Sequence, residues 1–255
     1  MTKPLEGRTV IVTGAGGGIG RASSIVLADA GAHVIVTDIA VEAGESTIEA
    51  VRAAGGTGSF VRADLASEQE IKALVAHAVG TTGRLDGAFN NAGVEQCAKP
   101  LHELSLEQWE RAIRIDLTSV FLCIKYQVIA MLKRGSGAIV NTASSLGEVA
   151  IQNASEYIAA KHGVVGLTRA AAAEYGARGV RVNAVLPGIV RTPMIARLSE
   201  EPAFSAFFAK LKDRHPIGRF GEPAEIGSAV AWLLSDSASF VNGTAMAVDG
   251  GYLAI

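Results

Sequence analysis

The chain has 255 residues, of which 49 % are hydrophobic and only 19 % charged, so it can bury one sizeable core; doubly wound α/β folds often run to this length as a single domain. Its 23 basic and 25 acidic side chains leave a formal net charge of −2 with no run of like sign, which argues against a nucleic-acid footprint or a polybasic membrane patch. Residues 1–8 carry alternating charges and no apolar core of signal-peptide length, and the later apolar runs fall far short of a bilayer span, so a soluble cytoplasmic protein with no membrane partner is expected.

Short β-branched runs alternate with alanine-rich stretches at helical spacing: strand 9–13 then helix 18–30, strand 33–38 then helix 41–54, strand 59–63 then helix 67–79. The rhythm continues with a strand over 85–90, a long helical region over about 105–132, a strand over 138–142, a helix over about 156–175 and a strand over 180–186. A helix near 224–234 and a strand near 244–248 close the chain. Seven continuous apolar runs predict an α/β fold with a doubly wound, seven-stranded parallel sheet covered by helices on both faces, in one domain spanning 1–255. The stretch from about 193 to 221 breaks the rhythm and carries Met194, Phe204, Phe207 and Phe208 among charges. It reads as a substrate lid, with a peripheral helical pair docked on the core as the competing reading.

The first strand ends in Thr13-Gly14, glycines follow, and a helix begins near Ile19, which is the setting a phosphate-binding turn requires. Gly14 permits the sharp turn, Gly18 lets the backbone approach a pyrophosphate, Gly20 allows tight helix packing, and the helix N-terminus offers free amides to the phosphates. Twenty-four residues beyond Gly14, the second strand ends in Asp38, where an adenosine ribose would lie. That carboxylate can accept both ribose hydroxyls of NAD and would repel the 2′-phosphate of NADP, so NAD is the expected cofactor.

Tyr157 and Lys161 stand four apart on a helix, so the ammonium can sit beside the phenol and favour the phenolate, ready to exchange a proton with an alcohol or ketone. Ser144 lies thirteen residues upstream. Cys97 and Cys123 show no C-x-x-C spacing and read as free thiols of a reducing compartment. His33, His77, His102, His162 and His215 are scattered without ligand-like spacing and read as surface or loop residues, so no metal is expected.

Together these residues resemble the short-chain dehydrogenase/reductase family, and the resemblance runs over essentially the whole chain. The Thr13-Gly14-x-x-x-Gly18-x-Gly20 turn is of the family's type, Asp64-Leu65 is similar to its adenine-contacting pair, and Asn90-Asn91-Ala92-Gly93 matches its fourth-strand signature. Ser144, Tyr157 and Lys161 match its catalytic trio, Pro187-Gly188 followed by Ile189-Val190-Arg191-Thr192 resembles its nicotinamide-contacting segment, and Val248-Asp249-Gly250-Gly251 resembles its C-terminal element. The resemblance implies a Rossmann fold with Ile19, Ile39, Asn90, Ala92, Gly93, Tyr157 and Lys161 among the cofactor contacts. It implies Tyr157 as acid/base, Ser144 as donor to the substrate oxygen, and Lys161 as the residue that favours the phenolate and holds the nicotinamide ribose.

Asp116 departs from the pattern, standing where the family commonly has an asparagine that holds a relay water. An ionised carboxylate can accept from that water, and its charge favours protonated Lys161 while partly offsetting the lysine's field at Tyr157. The expected activity is interconversion of a secondary alcohol and its ketone. Similarity to bacterial members acting on cyclic alcohols and dihydrodiols suggests a ring substrate. The alternatives are a 3-oxoacyl-carrier-protein reductase, which Asp38 fits poorly, and a nicotinamide-sensing regulator, against which the retained trio argues. The family's helix pairing implies a homotetramer.

Overall fold

The computed structural model describes residues 3–192, 195 and 211–255. The expected lid at about 193–221, with Met194, Phe204, Phe207 and Phe208, falls largely outside the described residues.

Strands β1 (Thr9–Thr13), β2 (His33–Asp38), β3 (Thr57–Arg62), β4 (Gly87–Asn90), β5 (Gly137–Thr142), β6 (Val180–Pro187) and β7 (Ala245–Val248) form one sheet in the order β3-β2-β1-β4-β5-β6-β7, with every pairing parallel. Parallel neighbours need crossovers, and helices α1 (Gly18–Asp29), α2 (Val41–Ala53), α3 (Glu68–Thr82), α4 (Leu106–Ile113), α5 (Ser119–Leu132), α6 (Ser155–Tyr175) and α7 (Pro223–Leu234) supply them. Successive strand residues point to opposite faces. Val10, Val12, Val34 and Val36 pack with Leu27, Ile48 and Ile226 of α1, α2 and α7, while Ile11 and Ile35 join Leu74, Ile124, Val128 and Val164 of α3, α5 and α6 on the other face. The central strands are buried on both faces. The edge strands β3 and β7 are half-exposed, and β3 starts at Thr57, two residues before the expected 59, because its ladder with β2 already begins at His33–Thr57 although its Thr-Gly-Ser opening is not an apolar run.

The strand order reverses between β1 and β4, so a crevice opens beyond their carboxyl ends. The helical region after β4 is continuous over 27 residues but contains a wide π turn at Arg114–Thr118. Contrary to the sequence reading, that stretch is long and apolar enough to cross a bilayer by length and composition alone. Here it covers the sheet: Val120, Ile124 and Val128 are buried, and Glu107, Glu110, Arg111, Arg114 and Lys125 face outward.

Candidate active site

The glycine turn is shaped by close approach. Gly14 has φ +60°, and a Cβ there would lie 2.7 Å from Ala92 Cα; a Cβ on Gly20 would lie 2.1 Å from the Gly14 carbonyl oxygen. The N-cap of α1, Gly17, makes no side-chain cap, and the first turn holds no acidic residue. The amides and partial positive charge of this helix end are therefore available to an anion such as a pyrophosphate. Asn91 braces the turn from β4: its amide donates to Thr13 Oγ1 (2.9 Å), and its side-chain nitrogen donates to the carbonyls of Thr13 (3.1 Å) and Gly14 (3.2 Å).

Asp38 sits at the crevice end of β2, with Oδ2 accepting from Gly16 N–H (2.8 Å) and Oδ1 from Ala40 N–H (2.9 Å). Each oxygen keeps a second lone pair for a ribose hydroxyl. The basic neighbour across the ladder, Arg62, is held by Glu70 at 2.6 Å, and Arg21 reaches the hydroxyls of Ser46 and Thr47. Ile39 is exposed beside Asp38, while Asp64 and the buried Leu65 follow β3. Asn90 is the last residue of β4. Its side chain is buried and bonded to Gln127 and Asn141, and Asn141 in turn donates to Thr168.

Ser144 follows β5 in extended conformation. Its Oγ accepts from Leu146 N–H (3.1 Å), which leaves the hydroxyl proton free to donate. Ser145 instead faces inward and donates to the Pro187 carbonyl (3.1 Å), so it is structural. On α6, Lys161 Nζ lies 5.3 Å from the centre of the Tyr157 ring and donates to the Thr142 carbonyl (3.2 Å). Asp116 joins them from the π turn, where the extra backbone atoms swing its side chain toward α6. Its carboxylate is fully buried, with Oδ1 3.0 Å from Val94 N and 3.5 Å from Lys161 Nζ; Oδ2 has no protein partner. Burial pushes this carboxyl above the usual range, opposed chiefly by Lys161 and then by the Val94 amide. Gly93 is required beside it, since a Cβ there would lie 2.5 Å from Oδ1.

A cavity of about 610 Å³ brings Tyr157, Lys161 and Asp116 together with Ile19, Asn91 and Gly93 and with Val94, Glu95, Gln96, Cys97 and Arg111; Ser144 is not among its lining residues. Glu156, fully buried beside Tyr157, fixes the wall at Cys97 by accepting Cys97 N–H (2.6 Å). Burial and the nearby Glu156 raise the Cys97 thiol, and burial pushes the enclosed Cys123 up to about 12. Glu156 and the 94–97 loop carried no motif of their own in the sequence, whereas Asn91 lay within the fourth-strand signature without being singled out.

The segment after β6 reaches the glycine turn at its end: a Cβ on Gly18 would approach Thr192 Cγ2 to 3.1 Å. His215 corrects the sequence reading. It is only 2 % exposed, and it accepts from Ile189 N–H at 3.1 Å.

A parallel sheet with a glycine turn at its switch point, a serine just after β5, and a tyrosine and lysine on α6 defines a nicotinamide-dependent oxidoreductase of the short-chain dehydrogenase/reductase family. The chain belongs to that family: residues 14–253 match the family model described as enoyl-(acyl carrier protein) reductase. It is 52 % identical to the 2,5-dichloro-2,5-cyclohexadiene-1,4-diol dehydrogenase of Sphingobium indicum, over 98 % of this chain and 99 % of that one. It is 45 % identical to the cyclohexanol dehydrogenase of Acinetobacter sp. strain SE19, over 99 % and 97 %. A solved chain from Beutenbergia cavernae, with NADP bound at low occupancy, superposes with a TM-score of 0.93 at 38 % identity over the whole of both chains. The protein is an alcohol dehydrogenase in the broad sense, acting on a small molecule.

Proposed function

We propose that the enzyme interconverts a secondary alcohol on a ring and the corresponding ketone, using NAD. The carrying observation is that Tyr157, Lys161 and Asp116 meet in one cavity that continues toward the glycine turn. Asp38 supports NAD because each of its oxygens, at the crevice end of β2, keeps a lone pair that a ribose hydroxyl could use, and Arg62 across the ladder is already paired with Glu70. Gly14, Gly18, Ile19 and Gly20 would hold the pyrophosphate side, with Asp38, Ile39, Asp64 and Leu65 at the adenosine. Ala92, Gly93, Pro187, Gly188, Ile189 and Thr192 would line the nicotinamide side. When bound, the nicotinamide supplies the hydride acceptor or donor.

In oxidation, Tyr157 takes the alcohol proton on its phenolate oxygen while Ser144 donates a hydrogen bond to the same substrate oxygen. The Lys161 ammonium holds the phenolate by its field, and the Thr142 carbonyl and Asp116 hold the ammonium. In reduction, Tyr157 returns the proton. The NADP in the Beutenbergia chain favours a competing reading, an NADPH-dependent reductase. Measuring kcat/KM with NAD and with NADP on cyclohexanol and a panel of cyclic diols separates the two; equal values, or a preference for NADP, would sink the assignment of Asp38.

The relatives named for ring substrates support a cyclic alcohol. Exposed Phe121 and Ile129 on α5 and Phe240 near the C-terminus support a homotetramer, which sedimentation equilibrium would test.

A further inference from the structure

Residues 187–192 are tied down from four separate parts of the fold, one of them Gly221, which accepts from Arg191 N–H (2.7 Å) and donates to the Ile189 carbonyl (2.9 Å). Ser145 Oγ donates to the Pro187 carbonyl (3.1 Å), Gly188 N–H donates to the Val248 carbonyl at the end of β7 (3.3 Å), and Ile189 N–H donates to His215 Nε2 (3.1 Å). The other ring nitrogen of His215, Nδ1, lies 2.8 Å from the Leu211 carbonyl oxygen. A carbonyl only accepts, so Nδ1 carries the proton and Nε2 is bare. One neutral tautomer thus satisfies both main-chain groups. The ring is boxed by Phe220, edge-on at 5.7 Å, and by Tyr252 at 5.3 Å, against whose ring Arg214 packs at 4.6 Å. A Cβ on Gly188 would lie 2.9 Å from Nε2, so the glycine is what lets the imidazole come this close.

We propose that His215 is a positioning residue for the nicotinamide end of the site: its neutral ring fixes the Ile189 amide, and with it the path of residues 187–192 along the crevice. The inference rests on the reading that this segment faces the nicotinamide. Without the imidazole acceptor the Ile189 amide loses its partner, the segment samples other conformations, and cofactor binding must then bear the cost of ordering it. The signature is weaker cofactor binding with turnover at saturation nearly unchanged.

The test compares wild type, His215→Phe and His215→Gln by fluorescence titration with NADH, by melting temperature, and by hydrogen exchange of residues 187–192 in the free protein. His215→Phe should raise the NADH Kd about tenfold, the consequence of one lost main-chain hydrogen bond, and should speed exchange across 187–192. His215→Gln, whose amide oxygen can accept from Ile189, should recover most of the affinity. A His215→Phe protein that melts lower yet binds NADH as tightly as wild type would make the ring mere packing and overturn the proposal. If that variant does not fold, the wild-type Ile189 amide decides: slow exchange supports the clamp, and exchange at the rate of an open loop overturns it. Wild-type protein that binds neither NADH nor NADPH would overturn the cofactor reading itself, and this inference with it.

Discussion

Replacing Asp116 by asparagine keeps the shape of the side chain and removes one buried charge beside the reacting phenol. The asparagine oxygen can still accept from Val94 N–H, so the π turn should hold. Asp116 Oδ1 is 3.5 Å from Lys161 Nζ, and Nζ is 5.3 Å from the Tyr157 ring centre, which places the carboxylate within about 9 Å of that ring. At that separation two unit charges interact by about 0.5 kcal/mol in a water-like dielectric and about 2 kcal/mol at the effective value typical of proteins. Those energies correspond to about 0.3 to 1.4 pH units. The sign follows from like-charge repulsion: an ionised Asp116 opposes the phenolate, so its removal makes the phenolate easier to form. The acid limb of kcat/KM for alcohol oxidation should therefore move to lower pH by that amount, with the plateau near wild type. The assay is a pH series on one active cyclic alcohol at saturating NAD. Burial raises the Asp116 carboxyl; a group neutral across the assayed range would give superimposable profiles, and that result, or a shift to higher pH, would refute the charge account.

Tyr157→Phe should abolish turnover while NADH titration shows nearly unchanged affinity, because the ring still packs and only the exchangeable proton is gone; substantial residual kcat would remove Tyr157 from the proton transfer. Ser144→Ala should lower kcat by about 10²-fold through loss of a donor to the substrate oxygen, and an unchanged kcat would exclude that role. Asp38→Ala should narrow the ratio of kcat/KM for NAD over NADP, whereas a widened ratio would contradict the repulsion argument. Gly20→Ala forces a Cβ toward the Gly14 carbonyl at a starting distance of 2.1 Å, so thermal unfolding should show a loss of about 1–3 kcal/mol together with weaker NADH binding; a variant that melts and binds like wild type would mean the turn is looser than drawn.

What the sequence made legible was whatever depends on neighbours in the chain. Val10–Val12 and Val34–Val36 read as strands because they are buried on both faces, and Tyr157 and Lys161 read as partners because they share a helix face. The edge strand β3 read less well, since half-exposed positions follow no apolar rule. The π turn left no mark because a single extra residue per turn has no composition. The buried side-chain bonds of Asn90 left no local signal either, since its partners, Gln127 and Asn141, come from 37 and 51 residues away. His215 read as a loop histidine for the same reason: what buries it is Ile189, Phe220 and Tyr252, and only the folded chain brings those together.

The wide turn at Arg114–Thr118 works as a phase shifter between α4 and α5. Each helical residue advances the azimuth by about 100°, so one supernumerary residue lets the stripe that serves the cavity and the stripe that serves the sheet be set independently. Deleting a single residue there would restore a regular α-helix and gear the two stripes together. Either Asp116 would rotate away from Lys161, or Val120, Ile124 and Val128 would rotate off the sheet and carry Phe121, Lys125 and Ile129 to a new compass bearing on the outer surface.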